Sequence, residues 1–371
     1  MLSVVAVAVA ALILTVTHPG QTIFRSPIEA AQTTQSPLQT TETPLNTKQT
    51  TALQLLLHAN PPVIRTHISI PLHNAHPSFV TFAGPSTGKT VVLIHGFPET
   101  GLLSWSSQIL FLGQNGYNVI VPDLRGFNGS YHADTPVSDY NYINAALDIK
   151  LLLEAFVPRV GHDSGALTTW VLVRDNPELF ACVVQLAGVH DLAYMDLMLF
   201  SPWKFIKHSW YIICIRTFGS IFSLAERFLA ANNFEMLVNV AFGTSIPGAY
   251  SVEDIEEYKD IWKKPFFLTS MKFQLAWYRY TAPFSHSLKL FNRGKSEIPS
   301  FIPVTLVWGA KDPYFPVEHL NSLILQRINH TKTIMYENNT HWLQREIPDE
   351  INRVLDEAFS KAFSFPSTMD N

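Results

Sequence analysis

The chain has 371 residues, 47% of them apolar and 15% charged, with a formal net charge of −4. That composition fits a globular protein with a large core, in one domain or in a domain carrying an insertion. No run of Lys or Arg exceeds two residues, which argues against nucleic acid as a partner.

The N-terminus is unlike the rest. "MLSVVAVAVAALILTVT" is one uncharged apolar run. It is shorter than the roughly 20 residues of a membrane span. A signal-peptide core matches its length, although no basic region precedes it and no A-x-A cleavage site follows. Residues 1–18 are therefore expected to form a hydrophobic anchor or signal segment. Residues 19–60 shift to Thr, Gln, Pro and Ser, as in "SPLQTTETPLNTKQTT", and read as a flexible linker.

Further on, "HISIPL" and "SFVTFAG" read as paired strands. "GPSTGKT" at Gly84–Thr90 resembles a phosphate-binding loop. Its first glycine stands one position too close to Gly88, and the motif precedes a strand instead of following one, so a hairpin turn is expected. His58, His67, His73 and His76 lack the spacing of metal ligands and are expected on the surface or on strand faces. "TVVLIHG" and "NVIVPDLRG" are continuous apolar runs typical of buried parallel strands. In the second, Asp123 and Arg125 are expected to pair with each other or with backbone. "YINAALDIKLLLEAF" has helical spacing. "ACVVQLAG" is another buried strand and holds Cys182. With only Cys214 besides, packing is expected there instead of a disulfide. "IPVTLVWGAKD" reads as a further strand and "DEINRVLDEAFSKAF" as a closing helix. Strands alternating with helices imply a mainly parallel α/β sheet. The alternation stops between about Val189 and Pro299, where an aromatic-rich, mostly helical pattern takes over. The expected organisation is an α/β core over 61–189 and 300–365, with a cap inserted over 190–299.

"RVGHDSGAL" carries the chemistry. A nucleophile elbow is a sharp strand-to-helix turn that needs small residues two before and two after the nucleophile. With Asp163 as nucleophile those positions are Gly161 and Gly165. With Ser164 they are His162 and Ala166, and His162 is too bulky. The frame selects Asp163. A triad on such a sheet follows the order nucleophile, acid, histidine. "VWGAKD" puts Asp312 just past a strand, and "ENNTHWL" puts His341 in a late loop. Alone, an Asp there caps a helix and a His is structural; the ordered set of three favours catalysis. "HGFPE" follows the first buried parallel strand. The backbone N–H groups of Phe97 and Ser164 are expected to form an oxyanion hole.

Taken in order, "HGFP", "DLRG", "GHDSGA", "WGAKD" and "THW" resemble the α/β-hydrolase superfamily in its epoxide-hydrolase family, over about Thr66 to Phe363. The membrane-anchored, microsomal-like branch is the nearest in pattern. The resemblance implies an α/β-hydrolase fold with a helical cap, and two cap tyrosines that bind the epoxide oxygen. "SWYIICIR" supplies Tyr211 and "AWYRY" supplies Tyr278, with Tyr280 as a weaker substitute. Phe97, Trp105 and Tyr280 are assigned to substrate contact. No cofactor and no metal is implied, and the expected partners are a small apolar epoxide and water.

An aspartate is ionised at neutral pH and needs no base to attack an epoxide carbon, forming an alkyl ester. A serine would leave an ether that water does not readily cleave. His341, oriented by Asp312, would activate water against the ester. A dehalogenase using the same triad is the nearest alternative. Its halide-binding Trp and Asn would stand where Ser164 and Phe97 are. A decayed, membrane-anchored protein is a second alternative, because only "VPRV" separates the preceding helix from Gly161 and Pro158 is unwelcome in a central strand. The strand holding the elbow is thus expected to be stunted. A serine esterase ranks third. Sequons occur at Asn128, Asn329 and Asn338. A glycan at the last would crowd His341, so a membrane-anchored domain facing the cytosol is favoured over the secretory pathway.

Overall fold

The structure, a computed structural model, describes residues 63–69, 77–130, 136–153, 157–218, 223–263, 267–280 and 298–364, together with Leu56 and Ala59. The expected anchor or signal segment over 1–18 lies outside the described residues. So do the rest of the linker over 19–60 and His58, His73 and His76. Among the described residues, no helix is long and apolar enough to cross a membrane.

Eight strands form one sheet: β1 (Ile64–Ser69), β2 (Pro77–Ala83), β3 (Thr90–Ile94), β4 (Asn118–Pro122), β5 (Val157–His162), β6 (Phe180–Leu186), β7 (Val304–Gly309) and β8 (Thr331–Tyr336). Their order is β1-β2-β4-β3-β5-β6-β7-β8. β2 runs antiparallel to β1 and β4, and all other neighbours are parallel. β1 and β2 are the expected pair. The Gly84–Thr90 turn is not a hairpin, because it joins β2 to β3 and β4 lies between them.

Among the described residues, the α-helices longer than four residues are α1 (Ser106–Gln114), α2 (Tyr142–Leu152), α3 (Ser164–Asp175), α4 (Asp191–Phe200), α5 (Pro202–Phe218), α6 (Leu224–Leu229), α7 (Glu235–Ala241), α8 (Val252–Lys263), α9 (Phe267–Tyr280), α10 (Val317–Leu325) and α11 (Pro348–Ser364). Those from α4 to α9 stand between β6 and β7. The sheet is covered on both faces at its centre, which is why β3, β4, β6 and β7 are almost wholly apolar and buried. Side chains alternate across it with period two. Val92 and Ile94 join the cluster of Ile149 and Trp170, from α2 and α3. Val91 and Leu93 join that of Ile109, Leu355 and Phe359, from α1 and α11. Asn141 starts α2 by accepting the Ile143 and Asn144 N–H groups, both at 3.0 Å.

β5 is not stunted. It has six residues, all buried, and pairs with β3 and β6. Its register against β6 shifts between Val157 and Arg159, and Pro158 sits at that irregularity. A bulge is where a strand tolerates a missing N–H. Arg159 is itself fully buried. Its guanidinium donates to the Leu179 carbonyl and, at 3.1 Å, to that of Leu153, and it lies 4.5 Å from the Phe180 ring centre. Burial pulls this guanidinium down to about 10. Arg125 and Asp123 do not pair with each other, and each bonds backbone: Arg125 pairs with Asp148 at 2.7 Å and donates to the Asp139 carbonyl at 3.5 Å. Asp123 instead accepts the Gly101 N–H at 2.7 Å and the Asn128 amide at 2.8 Å. The edge strand β8 was not anticipated, since its mostly half-exposed residues mix polar with apolar side chains.

Phe359 is fully buried on the closing helix α11. Phe359→Ala should lower unfolding free energy by about 3–5 kcal/mol in urea titration. Arg353→Ala on the exposed face should change it by less than about 0.5 kcal/mol.

Candidate active site

The elbow is built between β5 and α3. Asp163 adopts φ 53° and ψ −116°, outside the regions ordinary side chains prefer. It is held there by β5 on one side and the first turn of α3 on the other. The glycines around it are required by contact. A Cβ on Gly165 would lie 2.4 Å from the Ile94 carbonyl oxygen and 2.5 Å from that of His95. One on Gly161 would lie 2.6 Å from Gln185 Oε1, and one on Gly96 2.5 Å from the Asp163 Cβ.

The three expected residues meet. His341 Nε2 stands 3.5 Å from Asp163 Oδ2, and His341 Nδ1 stands 2.8 Å from Asp312 Oδ2. The Tyr314 and Phe315 N–H groups donate to Asp312 Oδ1 at 2.8 and 3.2 Å, which fixes the acid. The Phe97 N–H donates to Asp163 Oδ1 at 3.1 Å. Ser164 Oγ is buried and has no hydrogen-bond partner among the described residues.

These contacts set the charges. Burial penalises an ionised Asp163, but the His341 hydrogen bond and charge outweigh it and bring the carboxyl down to about 2. Burial likewise penalises the imidazolium, but Asp312 and Asp163 outweigh it and raise His341 to about 10. At neutral pH the resting site is therefore a cation between two carboxylates.

Asp163 opens onto a cavity of about 330 Å³, lined on the cap side by Tyr194, Phe205, Tyr211, Trp277 and Tyr278 and on the core side by Phe97 and Phe127. The Tyr211 and Tyr278 rings meet edge to face at 5.9 Å. Burial, reinforced by nearby groups that include Asp163, pushes both phenols well above their ordinary value. Both are thus neutral donors, and neither hydroxyl has a hydrogen-bond partner among the described residues. Tyr211 lies two residues past a kink at Ser209, where φ is −114° and ψ 18°. Ser209 Oγ is hydrogen-bonded to the Tyr194 hydroxyl at 2.5 Å, which ties the kink to α4.

The family model for the alpha/beta hydrolase fold matches residues 89–209. The AB hydrolase superfamily protein YfhM of Bacillus subtilis is 28% identical over 284 residues, covering 74% of this chain and 92% of its own. Epoxide hydrolase 4 of Homo sapiens is 25% identical over 308 residues and 79% of each chain. The solved epoxide hydrolase of Bacillus megaterium with an inhibitor superposes with a TM-score of 0.67 at 22% identity, over 80% of this chain and all of that one. The chain has the α/β-hydrolase fold and is similar to epoxide hydrolases.

Within that fold the expected site is assembled, with one correction and one addition. Trp105 does not line the cavity. It is fully buried at the start of α1, packed with Ile109 and Phe359. Tyr280 ends α9, and its side chain lies outside the described ones. Asp163, Phe97, Ser164, Tyr211 and Tyr278 all border the cavity. What the sequence reading missed is a buried polar layer behind His341. His162 Nε2 lies 3.1 Å from the His341 carbonyl oxygen, and Nδ1 lies 3.2 Å from Glu99 Oε2. Glu99 also accepts from Ser104 at 2.7 Å and Gln344 at 3.2 Å. Burial opposes its charge, but the bonds from His162 and Ser104 hold its carboxyl below the usual range. Both residues stand inside "HGFPE" and "GHDSGA"; only the polarity of two positions flanking apolar strands could have flagged them. Among the described residues, no group of three or more His, Cys, Asp or Glu could hold a metal.

Gly165→Ala should remove activity and cost about 1–3 kcal/mol of stability by melting, because the new methyl meets backbone and not a movable side chain. The ion pair makes a second prediction. His341 is raised, so its contribution to stability is complete below pH 6.5 and is lost as pH rises through about 10. Asp163 is lowered, so its contribution is complete above pH 3.8 and is lost as pH falls towards about 2. The stability gap between wild type and His341→Gln should narrow steadily from pH 7 to pH 10. In Asp163→Asn, the His341 titration followed by NMR should move down.

Proposed function

We propose that this protein is an epoxide hydrolase that converts an apolar epoxide to a vicinal diol through a covalent ester on Asp163. One observation carries the reading: His341 Nε2 faces a carboxylate oxygen, Asp163 Oδ2, and not a hydroxyl. With no base on Ser164, a serine esterase loses its nucleophile.

The steps follow from the geometry. Asp163 Oδ1 is held by the Phe97 N–H, which leaves Oδ2 to attack the epoxide carbon. As the carbon–oxygen bond breaks, Tyr211 or Tyr278 gives its proton to the developing alkoxide. Buried phenolate is strongly disfavoured here, so the phenol is soon restored. Its proton comes from His341. Ester formation has cancelled the Asp163 charge, one of the two that raised the imidazole. Neutral His341 then takes a proton from water, and hydroxide adds to the Asp163 carbonyl carbon. The oxyanion forms at Oδ1, already on the Phe97 N–H, with the Ser164 N–H at the start of α3 as second donor. Collapse expels the diol, which takes the proton from His341. The Asp163 acid, whose pKa is near 2, returns its own proton to His341 and restores the resting pair.

A dehalogenase reading gains no observation. Ser164 and Phe97 occupy the halide-binding positions, and the Trp277 indole N–H is engaged by the Arg125 carbonyl at 3.1 Å.

Incubating His341→Gln with an aryl or long-chain epoxide should give a covalent adduct that peptide mass spectrometry places on Asp163. Absence of any adduct while wild type turns the epoxide over would overturn the mechanism. Tyr211→Phe and Tyr278→Phe should each lower kcat/KM about 10- to 100-fold, and the double variant should lose alkylation altogether.

A further inference from the structure

The outer face of the cap is apolar where a soluble surface would not be. Among the described residues, Leu199 at 48%, Phe200 at 73%, Trp203 at 82%, Trp210 at 37% and Ile213 at 41% are exposed large hydrophobic side chains. They fall within fifteen consecutive positions, at the end of α4 and along one side of α5. Scattered apolar residues need no explanation, but a contiguous patch marks an interaction site.

Two further features say what meets it. Lys204 and Lys207 are exposed on the same helix as the tryptophans, and neither has an ion-pair or hydrogen-bond partner among the described residues. The acids on α4 are already used: Asp191 pairs with Arg174, and Asp196 with Arg327. In a chain of net charge −4, this surface is locally cationic. The patch is also continuous with the substrate cavity. Ile213 is exposed and lines the cavity as well, as do Phe205 and Ile212 from the same helix.

We propose that the outer face of α4 and α5 docks on the surface of an anionic lipid bilayer, so that an apolar substrate passes from the membrane past Ile213 to Asp163. Trp and Phe at the apolar boundary with lysines beside them is the composition of an interfacial helix. Each lysine contributes roughly fivefold to partitioning onto an anionic leaflet. A protein partner would match the apolar side chains but gives no reason for the patch to run into the cavity. The docking claim stands on the surface alone; its substrate arm rests on the proposed activity.

Hydrogen exchange on the full chain, with and without vesicles, tests it. Amides over 199–213 should exchange more slowly with phosphatidylcholine vesicles containing about one-third phosphatidylserine, and less so with phosphatidylcholine alone. Phe200→Ser with Trp203→Ser should abolish this protection. Lys204→Gln with Lys207→Gln should raise the lipid concentration for half-maximal protection roughly 25-fold. In both, kcat/KM for a water-soluble epoxide should be unchanged while turnover of a vesicle-dissolved epoxide falls. Unchanged exchange over 199–213 on vesicle addition overturns the proposal. So does protection that grows with protein concentration in the absence of lipid, which would mean self-association. Asp163→Asn should keep the protection in full, so a failure of the catalytic reading is separable from a failure of docking.

Discussion

Everything at the site depends on the backbone of one residue. Asp163 stands at φ 53° and ψ −116°, and nothing about an aspartate favours that conformation. It persists because its surroundings leave no alternative. β5 ends on a ladder with β3 and β6, and α3 starts one residue later, so the chain must reverse within that step. Gly165 passes so close to the Ile94 and His95 carbonyls that no side chain fits, and Gly96 passes equally close to Asp163 itself. The result is a carboxylate with one oxygen on the Phe97 N–H and the other facing His341. A relaxed backbone would aim it elsewhere.

The second constraint is electrostatic. A single imidazole lies between two carboxylates in a site where His341 and Asp312 are almost without exposure. Burial alone would favour the neutral forms of Asp163 and His341. Together the three groups keep Asp163 ionised and His341 protonated, the state that the proposed attack by Asp163 requires. In the proposed reaction, esterification of Asp163 would cancel one of the two negative charges that hold the proton on His341. Behind His341, the buried layer of Glu99, His162 and Gln344 holds its backbone in place.

How far this was legible in the sequence depended on whether the deciding contacts were local. The elbow was readable because its rule is about size at two neighbouring positions, and the structure supplies the atoms those glycines avoid. The order Asp163, Asp312, His341 was readable because the fold puts strand ends on one edge. β5 was misjudged because Pro158 was weighed against a regular ladder, while the actual strand shifts register at that point. Arg159 in the same strand is made tolerable by carbonyls of Leu153 and Leu179, which only the fold brings together. Arg125 found Asp148 on α2 and not its near neighbour Asp123, and sequence proximity carried no information about that. Trp105, expected at the substrate, is instead fully buried with Ile109 and Phe359, a packing that depends on the distant closing helix. The bulk of His162 argues against Ser164 as the nucleophile, but bulk and polarity in a buried turn also imply a partner, which here is Glu99.

α5 faces both the cavity and the outer surface. Its inner side supplies Tyr211 to the cavity and its outer side carries Trp203 and Trp210. A helix buried on one face alone would need a polar outer stripe. This one has lysines set among exposed aromatics, an arrangement that costs solubility and contributes nothing to packing. The kink at Ser209, tied to Tyr194, couples the two sides, since any displacement of the outer turn moves the segment that aims Tyr211. The exposed aromatic surface and the cavity phenol of Tyr211 are thus carried by the same stretch of helix.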